Sequence, residues 1–300
     1  MSVLPPGNGH RQVGPLFVAD SRPFGRGEPS DTGTESGSSY RTEGRVMNAV
    51  STVGTVEWTQ CTGGRLEPAE RRRLVGDLAR IHVRNVVGRF RMLAHLDPGR
   101  RSYVSPARVL PPESPLTRAA EAVAIRVLPA TLLNHSYRAY QFASALGELE
   151  GLEVDSEVLF AAALLHDTGL VLADGKDDFT LTSARLARDV AEQVGLSTAA
   201  TQILQTAITM HYSPQVPLTA GPVAYLLAAG AGVDVVGMRC WDLPPNILAE
   251  AVRDHPRAGF KSYFSQAWAT EAARVPRGRA KVLRRYGAFT AAIALAPFDE

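Results

Sequence analysis

From Glu67 onward, apolar residues recur every three to four positions, the repeat of a helix with one buried face. Pro68 suits the first turn of a helix that continues through Ile81, Val83, Val86, Val87, Phe90 and Leu93 until Pro98 and Gly99 break it. Ser114 caps a helix ending at Leu128 before Pro129, and another spans about Leu132 to Leu149. Asp155 or Ser156 opens a short, almost wholly apolar helix that ends near His166, with Gly169 as its stop. Phe179 to Gln193 is amphipathic and closes at Gly195. Ser197 or Thr198 caps a helix to about His211, and a further one covers about Pro222 to Val236. Pro244, Pro245 and Asn246 lead into Ile247 to Asp254, and the chain is helical again from Ser262. No run alternates with the period of a strand. The pattern predicts an all-α fold, a single helical bundle over residues 60–295 with its chemistry concentrated in 110–260.

Residues 1–46 read differently. Pro5, Pro6, Gly7, Gly9, Gly25, Gly27, Ser36, Gly37, Ser38 and Ser39 crowd a stretch with few apolar positions and no period. Such a segment cannot bury enough surface to offset its chain entropy. The expectation is a disordered leader, either a regulatory tail or a stretch ahead of a physiological start at Met47.

Composition narrows the class. Of 300 residues, 45% are hydrophobic and 21% charged, the balance of an ordinary globule. Lys+Arg 32 against Asp+Glu 30 leaves +2, which gives no electrostatic case for nucleic acid or acidic lipid as a partner. The arginines of 71–91 read as a solvated helix face, since Phe90 alone stands among them and a nucleic-acid patch would require sustained aromatic interleaving. No apolar run approaches the roughly 20 residues that span a bilayer. No secretory signal is visible, and the two cysteines, Cys61 and Cys240, exclude a disulfide framework and a cysteine-built zinc site. The expected location is cytoplasmic.

Candidate chemistry rests on His135, His166, Asp167, His211 and Asp234. Asp234 sits between Val233 and Val235 in a helix of Ala, Gly and Leu, so its carboxylate must be paired, protonated or bound to a metal, with Arg239 as a local partner. Gly230 and Gly232 suggest a close approach to the same helix. His166 and Asp167 follow an apolar run directly. They read as a capped core pair or as two ligands turned toward one divalent ion, imidazole and carboxylate suiting Zn, Fe, Mn, Co or Ni. His82, His95 and His255 lie near Arg or Pro on polar faces and are expected to face solvent. Tyr137, Tyr140 and Phe142 read as core.

Taken together, His135, the His166–Asp167 dyad and Asp234 resemble the motif of the HD-domain superfamily of metal-dependent helical hydrolases, over about residues 110–260. The stretches NHSYRAY, LLHDTGL, the ITMH helix end and AGVDVVG look most like the cyanamide-hydratase-like branch. The resemblance implies one divalent transition metal, zinc first among Fe, Mn, Co and Ni, held by His135, His166, Asp167 and Asp234. It implies hydration or hydrolysis of a small, nitrile- or cyanamide-like substrate, with Asp167 and His211 in catalytic roles. His211 could equally be a satisfied core histidine. Arg138, one helical turn from His135, either recognises an anion or pairs with a carboxylate. Lys176 belongs to a possible lid loop, and Asn134 and Ser136 flank a ligand and could orient it. Two departures weigh against relatives in the superfamily. Leu170 stands where HD nucleotide phosphohydrolases commonly carry an acid, and only His211 lies between dyad and final aspartate, too few histidines for a two-metal site. The alternatives are nucleotide phosphomonoester hydrolysis and a non-catalytic module that binds metal or ligand.

Overall fold

The computed structural model describes residues 52–300; the leader expected over 1–46 lies outside them. The described residues form helices joined by short turns, with no strand ladder and one isolated bridge, Arg65 to Gly278. Helix α1 (Val56–Thr62) has no long apolar period and was invisible to the pattern; Thr55 caps it by accepting from Trp58 N. Helix α2 (Pro68–Leu93) starts on Pro68, where a missing N–H costs nothing, and Glu70 reaches back to accept from Glu67 N at 2.7 Å. Helix α3 (Pro115–Val127) is capped by Ser114 and Thr117.

Then come α4 (Ala130–Leu149), α5 (Ser156–Leu165), capped by Asp155 at the N–H groups of Glu157 and Val158, and the short α6 (Thr168–Leu172). Helices α7 (Phe179–Gln193) and α8 (Thr198–Met210) take their caps from Asp178 and Ser197. Helix α9 (Pro222–Val236) ends at Gly237, which adopts φ 67°. The chain closes with α10 (Pro245–Asp254), α11 (Phe260–Arg274), α12 (Arg279–Tyr286) and α13 (Phe289–Ala294). At Ser114, Asp155 and Ser197 the caps thus place the helix starts where the sequence predicts them, because each satisfies N–H groups the helix itself leaves orphaned.

Helix α5 is the centre of the molecule. Every residue from Val158 to Leu165 is buried, and the helix touches α3, α4, α7, α8 and α9. The closest pairing is α4 along α9, and Gly230 explains it: a Cβ there would meet Ala139 O at 2.2 Å and Ala143 N at 2.7 Å. Gly232, expected to mark the same approach, has nothing nearer than Met238 Cβ at 3.8 Å.

Two expectations change. Gly169 does not stop a helix; the chain turns at His166–Asp167 and restarts as α6 with Gly169 inside it. Gly169 is needed for contact, since a Cβ would strike Phe179 O at 1.9 Å, and its N–H donates to Ser183 Oγ at 2.8 Å. On α2 the buried stripe runs Leu74, Leu78, Ile81 and Gly88, whose missing side chain makes room for Trp241. Val83, Val86, Val87, Phe90 and Leu93 lie off that stripe and are exposed.

The glycine contrast is testable. Gly230→Ala should cost roughly 1–3 kcal/mol through overpacking. Gly232→Ala should be neutral or stabilise by up to about 1 kcal/mol from helix propensity. Urea denaturation of the two variants side by side measures the difference.

Candidate metal centre

The cluster is built from helix ends. His166 follows the last residue of α5 and His211 the last of α8, and both use the same local device. The Nδ1 of His166 lies 2.7 Å from Ala163 O, and that of His211 lies 2.7 Å from Ile208 O. A carbonyl oxygen only accepts, so each Nδ1 carries the hydrogen and each Nε2 presents a lone pair. His135, inside α4, sets its Nδ1 2.7 Å from Asp234 Oδ2, and the same reasoning leaves its Nε2 bare.

These bare nitrogens converge. His135 Nε2 and His166 Nε2 are 3.2 Å apart. Asp167 Oδ2 is 3.3 Å from the second and 3.6 Å from the first, while Asp167 Oδ1 is 3.5 Å from His211 Nε2. His135, His166 and Asp167 each offer a ligand atom within 4.8 Å of the others, and all three are buried. Neither oxygen of Asp167 has a hydrogen-bond partner. Lone pairs facing one another around an unpartnered buried carboxylate are repulsive unless something positive sits among them. A divalent transition ion fits that donor set, and His211 stands beside it as a further imidazole.

Titration tendencies agree. Burial works against charge on His166, but neighbouring Asp167 outweighs it, and the His166 pKa is raised. Burial would likewise lift Asp167, yet the neighbouring His166, and after it His211, hold its carboxyl far below the ordinary range. Both directions say the cluster favours a positive charge, which a metal supplies by displacing the proton. Burial lowers the pKa of His135 and of His211, leaving them neutral and available.

Asp234, expected among the ligands, is not brought into this cluster and sits behind His135. Its Oδ1 accepts from Arg138 Nε at 2.8 Å and Arg257 Nη1 at 2.5 Å; its Oδ2 accepts from Arg138 Nη2 at 2.8 Å and His135 Nδ1. Four donors exhaust the carboxylate's acceptor sites. Burial favours its neutral form, but Arg138 first, then His135 and Arg257, hold it well below its ordinary 3.8. Arg239, the anticipated partner, instead binds Glu150 and Asp242.

Other expected contacts also move. Arg138 is fully buried and committed to Asp234 and His255 O, so it recognises no substrate anion. Asn134 donates to Pro256 O at 2.9 Å, tying α4 to the segment before α11, and does not orient a ligand. Ser136 is buried with an unpartnered Oγ. Lys176 is exposed on its loop and takes no part in the cavity wall. His95 is exposed, but His255 is half-buried and stacks on Tyr137 at 4.5 Å. His82, also half-buried, has a buried, unpartnered Nε2.

Arg257, which sequence reasoning missed, carries half the load on Asp234 Oδ1, and nothing in DHPRAGF announces it. Phe260 covers His135 at 5.0 Å between ring centres and lies 4.6 Å from the Arg257 guanidinium. Tyr212, next to His211, donates to Asp178 and lies 4.1 Å from the guanidinium of the buried Arg279, which anchors the end of α8. The cluster sits in the wall of a cavity of about 550 Å³ that also reaches α2, α9 and α11.

Residues 132–225 match the family model of the HD domain. That stretch is similar to the HD domain, and it includes His135, His166, Asp167 and His211. No curated protein matches the chain closely enough to count as a relative. No helix among the described residues is long and apolar enough to cross a membrane.

Two outcomes follow. Asp234→Ala leaves Arg138 and Arg257 buried without their anion and should cost about 3–5 kcal/mol at neutral pH by urea denaturation. Because the folded pKa is depressed, the wild-type advantage should be complete above the ordinary 3.8 and fall away as pH drops toward the folded value. Metal analysis should find about one transition metal per chain. His166→Ala or Asp167→Ala should remove most of it, whereas Asp234→Asn should weaken affinity by about 10–100-fold without abolishing binding.

Proposed function

We propose that the protein is a mononuclear metal-dependent hydratase or hydrolase that adds water to a small, nitrile- or cyanamide-like molecule, with zinc as the first choice of ion. The observation that carries this reading is the meeting of the bare Nε2 atoms of His135 and His166 with the unpartnered carboxylate of Asp167 in a cavity wall. When bound, the ion supplies Lewis acidity and lowers the pKa of water from 15.7 to about 7. The remaining work belongs to side chains. Asp234, by accepting from Nδ1, holds His135 in the tautomer that ligates. His211 is neutral and directs Nε2 at Asp167, so the two can pass a proton between water and the developing product. Phe264 and the ring of Trp268 form part of the cavity wall beside the cluster.

Addition of one water across a carbon–nitrogen triple bond converts a nitrile to an amide, and cyanamide to urea, with no redox partner. The charge around the cavity supports this chemistry over phosphomonoester hydrolysis. Arg239 lines the cavity but is spent on Glu150 and Asp242, and Arg84 is exposed on α2. Among the described residues no lysine lines the cavity to hold a phosphate. Metal-loaded protein should therefore release urea from cyanamide or amide from simple nitriles, with at least a hundredfold loss in Asp167→Ala. Phosphate released from mononucleotides with no hydration product would overturn the assignment, and full metal occupancy without turnover on either panel would favour a binding module.

A further inference from the structure

Helix α2 is apolar on two opposite faces. Leu74, Leu78, Ile81 and Gly88 turn toward the body of the protein. On the other side, Gly76, Ala79, Val83, Val86, Phe90 and Leu93 follow one another at alternating steps of three and four residues. That spacing keeps them on one stripe along the helix. All six are exposed, Val83 by 64%, Val86 by 68%, Phe90 by 68% and Leu93 by 81%. No charged side chain interrupts the stripe over about five turns. Contiguous exposed apolar surface of this kind marks an interaction site, and the alternating steps are those of a coiled-coil seam.

The stripe is complementary to itself. It begins with small residues, Gly76 and Ala79, and ends with large ones, Phe90 and Leu93. Two copies laid antiparallel set Leu93 of one against Gly76 of the other, Phe90 against Ala79, and Val86 against Val83. Large meets small in the outer layers, as a packed seam requires. Laid parallel, Phe90 would meet Phe90 and Gly76 would meet Gly76, and the helices would splay. Gly76 has no other purpose in the fold: a Cβ there would meet nothing within 4 Å, and glycine inside a helix costs about 1 kcal/mol against alanine. Lipid chains would have no use for this gradient of size.

Charge does not oppose the pairing. Arg80 and Arg89 flank the seam, but Arg80 is paired with Asp77 at 2.8 Å, and Arg89 donates to Leu295 O and Val236 O. Arg84 and Arg91 lie roughly 100° around the helix from the seam. The exposed parts of Val83, Val86, Val87, Phe90 and Leu93 hold on the order of 400 Å² per copy. A pair that also covers Ala79, Ala94 and the stem of Arg80 removes roughly 1,000 Å² from water, the lower end of specific interfaces.

We propose that the outer face of α2 is a dimer interface, joining two copies of this chain antiparallel about a two-fold axis that passes between Val83 and Val86. The inner face of the same helix lends Ile81 and Asn85 to the cavity wall, so each copy braces the other's cavity from behind.

Sedimentation velocity of the full chain at rising concentration tests this. The mass should climb from 32.2 kDa toward twice that value, with a midpoint in the micromolar range that an interface of this size supports. Val86→Glu should raise the dissociation constant at least about tenfold. Because that side chain is exposed in a single copy, the melting temperature of dilute protein should hold. Ala79→Phe and Phe90→Ala should each weaken the dimer several-fold. The two combined should restore most of it, since the swap exchanges large and small within one layer. A chain that stays monomeric into the hundreds of micromolar overturns the proposal, and so does a dimer indifferent to Val86→Glu. Losses that simply add in the double variant overturn the antiparallel pairing. A monomer that co-sediments with phosphatidylserine vesicles, and ceases to with Val86→Glu, assigns the face to a membrane and overturns the dimer.

Discussion

One buried carboxylate organises the molecule. Asp234 accepts from His135, Arg138 and Arg257, and these four side chains are all but fully excluded from solvent. Two guanidinium groups and one anion cannot be taken out of water singly; each is tolerable only because the others are present. The arrangement joins α9, which carries Asp234, to α4, which carries His135 and Arg138, and to Arg257 ahead of α11. Phe260 closes it, with both guanidinium groups within 5.4 Å of its ring centre. The carboxylate also acts on the metal centre from one bond away. Because it can only accept, it holds a hydrogen on His135 Nδ1 and turns the lone pair of Nε2 inward.

The cluster in front of it follows the opposite rule. There a buried carboxylate without a hydrogen-bond partner faces the Nε2 atoms of three buried histidines. A core assembled for stability alone would pair these groups. The two helix ends achieve this cheaply, since a histidine just past the last turn can bind the carbonyl three residues back and leave its far nitrogen free. The capacity to hold an ion and a buried carboxylate left without donors are thus two aspects of one arrangement, set in the wall of a cavity.

Much of this was legible in the sequence. Helix starts could be read from Ser114, Asp155, Ser197 and the prolines because caps act within four residues, and so could the apolar α5, because a helix buried on every side needs no moment. His135, His166, Asp167 and His211 stood out as polar groups at the ends or within the faces of apolar helices. The burial of Asp234 was legible for the same reason, but its partner was not. Arg239 is nearest along the chain, yet Arg138 and Arg257 arrive from other helices, and sequence distance says nothing about which guanidinium meets a carboxylate in space. The exposure of Val83, Val86 and Phe90 was likewise hidden, since periodicity reports an apolar stripe without reporting whether anything packs on it.

The sequence by itself determined the all-α architecture, the capped helix starts at Ser114, Asp155 and Ser197, and the set of side chains able to carry metal chemistry, all of which depend on interactions within a few residues. Only the tertiary structure decided which of those side chains face one another. It moved Asp234 from the ion to the back of His135, withdrew Arg138 and Lys176 from the cavity, and brought His82 into its wall. The physical reason is that a carboxylate's role is set by the donors around it, and those donors come from helices whose approach depends on contacts such as Gly230 against Ala139. The sum of that packing is not written in any local stretch of chain.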